Sequence, residues 1–137
     1  MKIVIDTNVF ISAVFFGGLP LKVLQSIISK QNDAYITPEI WDEYNDVIER
    51  MTKKYPSRLK QQLVDEVFKI FKVIIPSSEI SICRDPDDDK FISCAIDAEC
   101  MYIVSGDDDL LSLGNIDDLS ICTPAEFLNA MKREENL

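Results

Sequence analysis

Met1-Lys2-Ile3-Val4-Ile5-Asp6-Thr7-Asn8-Val9-Phe10 opens the chain, and its reading decides the fold. Ile3, Val4 and Ile5 form a short β-branched run bounded by a carboxylate, the pattern of a strand buried on both faces. Asp6 then stands at the carboxyl end of a central strand. In open α/β sheets ligands bind at that edge, where loops leave a crevice and helices begin with free N–H groups. An acid delivered there is an active-site candidate. The plainer role for Asp6 or Thr7 is to cap the next helix, which both residue types do well.

Working outward, Val9 to Phe16 reads as a short helix ended by Gly17-Gly18, and Pro20 opens a second helix to about Lys30. Ala34-Tyr35-Ile36 is a short strand. Thr37 is an N-cap with Pro38 at the first helical position of a helix to about Met51. Leu59, Leu63, Val67, Ile70 and Ile74 recur at helical spacing, predicting one long helix after Pro56 that Pro76 stops. Ile80 to Cys83 reads as either a brief strand or an extended link. Asp85-Pro86 starts another helix, with Asp85 as its cap and more Asp in the first turn, where the helix dipole favours them. Met101 to Val104 is a second apolar strand, followed by a helical turn through Leu110-Leu111, a strand at Leu119 to Cys122, and a helix opened by Pro124. Strands alternating with helices imply an α/β fold: a central parallel sheet covered on both faces. Residues 1–137 read as one domain with a polar tail that frays from about Lys132.

Composition narrows the chemistry. An apolar content of 47% suits a globular core. No signal peptide or anchor is expected, because the N-terminal apolar run is broken at Asp6 and no later run reaches membrane-spanning length, so the expectation is a cytoplasmic protein with no membrane partner. Cys83, Cys94, Cys100 and Cys122 lack C-x-x-C spacing and read as buried thiols. The absence of histidine excludes Ser-His-Asp and Cys-His mechanisms and an imidazole base. A hydrolase built from this chain activates water through an oxygen-bound cation. The net charge of −10 argues against nucleic-acid binding by bulk electrostatics, yet half of the 14 basic residues lie between Arg50 and Lys72. Arg50, Lys53, Lys54 and Arg58, with Tyr55 among them, therefore form a candidate RNA-tracking segment. An ordinary solvated helix end reads equally well there, since cations favour helix C-termini.

The acids form a constellation. Asp6 and Asp107 each follow an apolar strand and belong to one rim of the sheet. On the helix from Pro38, the stripe of Ile40, Tyr44, Val47, Ile48 and Met51 puts Glu43 at the border of the buried face, with Asp42, Asp46 and Glu49 opposite. On the helix after Pro86, Asp88 stands over the stripe of Phe91, Ile92, Ala95 and Ala98. Asp89 falls at its edge. Inward carboxylates left alone repel one another and resist ionisation. A hard divalent ion removes that conflict, and Mg²⁺ or Mn²⁺ with oxygen ligands suits phosphodiester hydrolysis. A calcium EF-hand beginning at Asp85 fails, because Lys90 occupies the Gly position and Ile96 the Glu position.

Ile5-Asp6-Thr7-Asn8-Val9, the Thr37-Pro38-Glu39-Ile40 helix containing Glu43, Arg84-Asp85-Pro86-Asp87-Asp88-Asp89, and Val104 through Leu111 resemble, in order and spacing, the motifs of the PIN-domain family. The similarity covers nearly the whole chain and is nearest to toxin components of bacterial toxin–antitoxin systems. It implies a three-layer α/β/α sandwich and a Mg²⁺- or Mn²⁺-dependent endoribonuclease acting on RNA. It also implies neutralisation by a small antitoxin protein, and it leaves self-association into a homo-oligomer open. The catalytic acids it implies are Asp6, Glu43, Asp88 and Asp107. Metal ligands fall on Asp6, Asp88 or its alternative Asp89, and Asp107, with Asn8 and Ser105 as polar neighbours. Two other readings remain: a phosphatase of the haloacid-dehalogenase kind, weakened because Asn8 stands where a second Asp is expected, and a non-catalytic acidic rim that holds a basic partner.

Overall fold

The computed structural model describes every residue except 78–80, 82, 84 and 137. In chain order its elements are β1 (Lys2–Ile5), α1 (Thr7–Phe15), α2 (Gly18–Ile28), β2 (Asp33–Ile36), α3 (Pro38–Lys54), α4 (Gln61–Ile70), β3 (Lys72–Val73), a 3-10 turn (Pro86–Asp88), α5 (Asp89–Asp97), β4 (Tyr102–Val104), α6 (Asp108–Leu111), β5 (Asn115–Ile116), β6 (Leu119–Cys122) and α7 (Pro124–Glu135). The sheet order is β3-β2-β1-β4-β6-β5. All pairs are parallel except β5 with β6. β1 is central, and its Ile3, Val4 and Ile5 are at most 1% exposed, as a strand covered on both faces requires. α5 packs against β1, β4 and β2, and α7 against β4 and α2, in an α/β/α arrangement.

Register sets the functional edge. Ile3, Val4 and Ile5 pair with Tyr102, Ile103 and Val104. β1 and β4 therefore end level, and Asp6 and Ser105 emerge side by side. The Asp6 N–H donates to the Val104 carbonyl at 3.0 Å, and the Ser105 N–H to the Cys122 carbonyl at 2.9 Å.

Local signals hold at most helix starts. Thr37 caps α3 by accepting from the Ile40 N–H at 3.2 Å, with Pro38 first in the helix. Thr123 and Glu126 cap α7 reciprocally. Gly17 and Gly18 both have positive φ, which lets α2 depart from α1 at 97°. α2 begins at Gly18, so Pro20 lies inside its first turn. No single helix among the described residues is long and apolar enough to cross a membrane.

The long helix expected after Pro56 is corrected at both ends. Its start is delayed to Gln61, because the Arg58 N–H turns back to the Tyr55 carbonyl and the Lys60 N–H is spent on the Val14 carbonyl of α1. It stops at Ile70, because Phe71 adopts extended backbone and Val73, Ile74 and Ile75 are a β-branched run suited to extension. Lys72–Val73 becomes an edge strand beside β2 instead. Two further boundaries also move. α3 continues past Met51 to Lys54, with Lys53 and Lys54 at the negative end of its dipole. α7 continues past Lys132 to Glu135, so the tail expected to fray there is helical. The antiparallel β5 had no expectation attached to it. Of the reading offered for Ile80 to Cys83, residues 80 and 82 lie outside the described residues, as does Arg84. The cysteines are free, with Cys94, Cys100 and Cys122 buried and their thiols pushed up to about 12 by burial.

Candidate functional site

Asp6 caps the next helix and also stands at the carboxyl edge of β1. One carboxylate oxygen caps α1 by accepting from the Val9 N–H at 2.8 Å, and the other accepts from the Ser105 hydroxyl. That same hydroxyl accepts from the Asp107 N–H at 2.9 Å. Ser105 is fully buried and thus ties the end of β1 to the loop after β4. Burial raises the pKa of Asp6, opposed by these hydrogen bonds and assisted by the charge of Asp107.

Beneath Asp6, α3 is anchored by Tyr44. Its ring stacks on Phe10 with centroids 4.3 Å apart, and its hydroxyl donates to the Ile5 carbonyl at 2.6 Å. Burial holds its pKa well above the usual phenol value, so it remains a donor. The adjacent Glu43 consequently points at the rim. One of its oxygens accepts from the Thr7 hydroxyl and the other pairs with the Lys90 ammonium at 2.9 Å.

Asp85 caps the 3-10 turn by accepting from the Asp87 N–H at 3.0 Å, and α5 starts only after Asp88. The inward orientation of Asp88 therefore comes from that turn, with the expected stripe of Phe91, Ile92, Ala95 and Ala98 buried below it. Asp88 is 8% exposed, and its Oδ2 atom has no hydrogen-bond partner among the described residues. Burial first, then the charge of Asp107, raises its pKa to about 7. Asp89 is directed elsewhere: its Oδ1 accepts from the Cys83 N–H at 2.8 Å, holding the chain that precedes the turn.

Asp88, Asp107 and Asp109 each offer a carboxylate oxygen, and these atoms lie within 4.8 Å of one another. Three acids at that spacing, one with a buried oxygen that no donor among the described residues reaches, fit an oxygen-preferring divalent cation. Asp6, Asn8, Glu43, Asp88 and Asp107 line one cleft, joined by Thr7 and Arg50. Asp6 and Glu43 lie outside the triad of oxygens, and Asp89 lies outside both the triad and the cleft.

Two participants escaped the sequence. Asp109 falls inside the Val104 through Leu111 motif without a role of its own there; its spacing two residues after Asp107, across a helix start, is the available signal. Lys90 was noted only as a mismatch to a calcium loop. Its side chain is 9% exposed, pairs with Glu43 and donates to the Asp87 carbonyl at 2.5 Å, cross-linking α3 and the start of α5. Lys90→Met should therefore lower stability by about 2 kcal/mol, less than for a fully buried pair because Glu43 is partly exposed. Urea melts in chelator against the parent test this; an unchanged midpoint would mean the pair contributes nothing.

Comparison with known proteins agrees with this geometry. The family described as PIN domain matches residues 2–109. An uncharacterized protein of Methanocaldococcus jannaschii is 35% identical over 97% of this chain and 93% of its own length.

Proposed function

The chain belongs to the PIN-domain family, whose members are in general metal-dependent nucleases, and on that footing we propose that it is a Mg²⁺- or Mn²⁺-dependent endoribonuclease and the toxin of a toxin–antitoxin pair. The observation that carries the catalytic part is the buried Oδ2 of Asp88, which has no partner among the described residues, beside Asp107 and Asp109 on the sheet edge where Asp6 ends β1. A divalent cation bound there supplies acidity to water and offsets the charge of a phosphodiester.

The chain's own groups do the rest. Asp88, Asp107 and Asp109 hold the cation, and Asp6 faces the same cleft with its orientation set by Ser105 and the start of α1. Glu43, steadied by Thr7 and Lys90, presents its carboxylate to the same cleft, where it serves as the group that accepts a proton from attacking water. Asn8 and Arg50 are exposed groups of the cleft suited to contact phosphate oxygens. The toxin role is supported by the resemblance of the four motifs. Its partner is a small antitoxin.

Purified protein should cut an unstructured RNA internally with Mg²⁺ or Mn²⁺, leave it intact in chelator, and ignore p-nitrophenyl phosphate. Hydrolysis of the ester with RNA untouched would turn the assignment to a phosphatase. Silence on both would leave the non-catalytic acidic rim. For the toxin role, induced expression should arrest growth, with relief by a small protein encoded beside the gene; growth unaffected by active enzyme would remove that role.

A further inference from the structure

α1 and α3 end at the same place. Phe16 is the C-cap of α1 and Tyr55 the C-cap of α3. Their rings meet edge to face with centroids 5.3 Å apart. The Arg58 guanidinium lies 5.7 Å from the Phe16 centroid and 5.9 Å from that of Tyr55, and the Lys54 ammonium lies 5.5 Å from the Tyr55 centroid. Phe16 nevertheless remains 47% exposed, a large apolar surface left in water beside the Arg58 guanidinium.

This cluster is connected to the acidic cleft along one helix. Arg50 follows Glu43 by seven residues and Lys54 by eleven, spacings that return to the same face of α3, and Arg50 lines the cleft itself. At 1.5 Å per residue, Tyr55 lies roughly 18 Å along the axis from Glu43. In a chain of net charge −10, this is where positive charge concentrates. Cations and an exposed ring placed together match a polyanion that also carries flat apolar faces, which is the chemistry of an unpaired nucleic-acid strand.

We propose that Phe16 and Tyr55, flanked by Lys54 and Arg58, form a base-stacking contact that holds the RNA strand while Arg50 leads its backbone into the acidic cleft. The inference rests on the endoribonuclease reading for its substrate, and adds a second contact remote from the reacting phosphate. Stacking there contributes to holding the strand and leaves the chemistry at the cleft alone. Its loss should appear in KM with kcat preserved.

The test uses full-length protein with Phe16→Leu and Tyr55→Leu, which keep apolar bulk and remove the ring faces. Three readouts run in parallel: steady-state cleavage of an unstructured RNA oligonucleotide with Mg²⁺, hydrolysis of bis-p-nitrophenyl phosphate, and binding of the labelled oligonucleotide in chelator by anisotropy. The small diester reaches the cleft alone. Each variant should raise KM and weaken binding by about tenfold, toward the lower end of the range for one base on one ring because leucine keeps apolar bulk. Diester turnover and kcat should match the parent, with the melting temperature lowered by no more than the few degrees that loss of the Phe16–Tyr55 ring pair accounts for. A Lys53→Ala/Lys54→Ala variant should flatten the salt slope of binding by about 1.4 on logarithmic axes. Parent activity on both substrates, with KM and binding unmoved in the variants, overturns the stacking contact and leaves the nuclease reading intact. A parent inactive on both substrates whose oligonucleotide binding still weakens in the variants overturns the nuclease reading and keeps the contact. A parent that neither cleaves nor binds the oligonucleotide overturns both.

Discussion

Asp6→Asn and Asp107→Asn should each fold as the parent does and cleave RNA at least about a hundredfold more slowly with Mg²⁺. The fold survives because the capping task of each side chain is one an amide oxygen performs, while at residue 6 the amide NH2 donates to the Ser105 oxygen where the carboxylate accepted from its hydroxyl. Asn caps a helix as well as Asp, so the bond from the Val9 N–H to residue 6 is kept, and likewise that from the Asp109 N–H to residue 107. What disappears is charge at the cleft. Outer partners of metal ligands already cost about ten- to a hundredfold when removed, and Asp107, which offers an oxygen to the ion, and Asp6, whose carboxylate lines the same cleft, should each cost at least the upper figure. Matching circular dichroism with lost cleavage supports the assignment; near-parent Mg²⁺-dependent cleavage by Asp6→Asn would sink it.

The second large effect is a crossing of stabilities. Asp88 has its carboxyl raised from an ordinary 3.8 to about 7 in the folded chain, by burial and then by Asp107. Between about pH 4 and pH 7 the folded protein thus binds more protons than the unfolded one, so the stability of metal-free protein declines as pH rises through this window and levels off above about 7. Asp88→Asn lacks this decline. In chelator at pH 8 it should be the more stable protein, by on the order of 1–2 kcal/mol, and the advantage should vanish near pH 4. Mg²⁺ at about a hundred times its dissociation constant should then stabilise the parent by about 2.7 kcal/mol, and the variant far less. The order of the melting temperatures reverses. Asp85→Asn and Asp89→Asn serve as comparisons, since Asp85 caps the 3-10 turn and Asp89 holds the Cys83 N–H, and neither should show the reversal. Reversal in Asp89→Asn alone would transfer the metal-holding role to that residue; reversal in none would remove both from the ion.

The same protons compete with the cation. Mg²⁺ affinity should therefore weaken below about pH 7, by up to tenfold per pH unit, as Asp88 takes up its proton. Calorimetric titrations at pH 6, 7 and 8 measure this, and an affinity flat across that range would show that the Asp88 proton is not displaced by the ion.

Chain-local physics made much of this protein legible. A β-branched run is stable as a buried strand whatever surrounds it, and Thr37-Pro38 caps a helix with its own atoms, so β1, β4, α3 and the α/β class followed from residues close in sequence. The carboxyl edge of β1 and the border position of Glu43 were readable for the same reason. Tertiary structure decided what depended on distant partners. Lys60 donates to Val14 and the segment after Ile70 pairs with β2, so α4 is shorter than its own periodicity predicts. The different surroundings of Asp88 and Asp89 come from a 3-10 turn that no helical stripe encodes: among the described residues it leaves the Asp88 Oδ2 buried without a donor and gives Asp89 a backbone N–H. Lys90 reaches Glu43 across 47 residues of chain, and Phe16 meets Tyr55 only because α1 and α3 end together. Such pairings have no sequence spacing to betray them, since their energy depends on distance in space and the chain between is free to take any path.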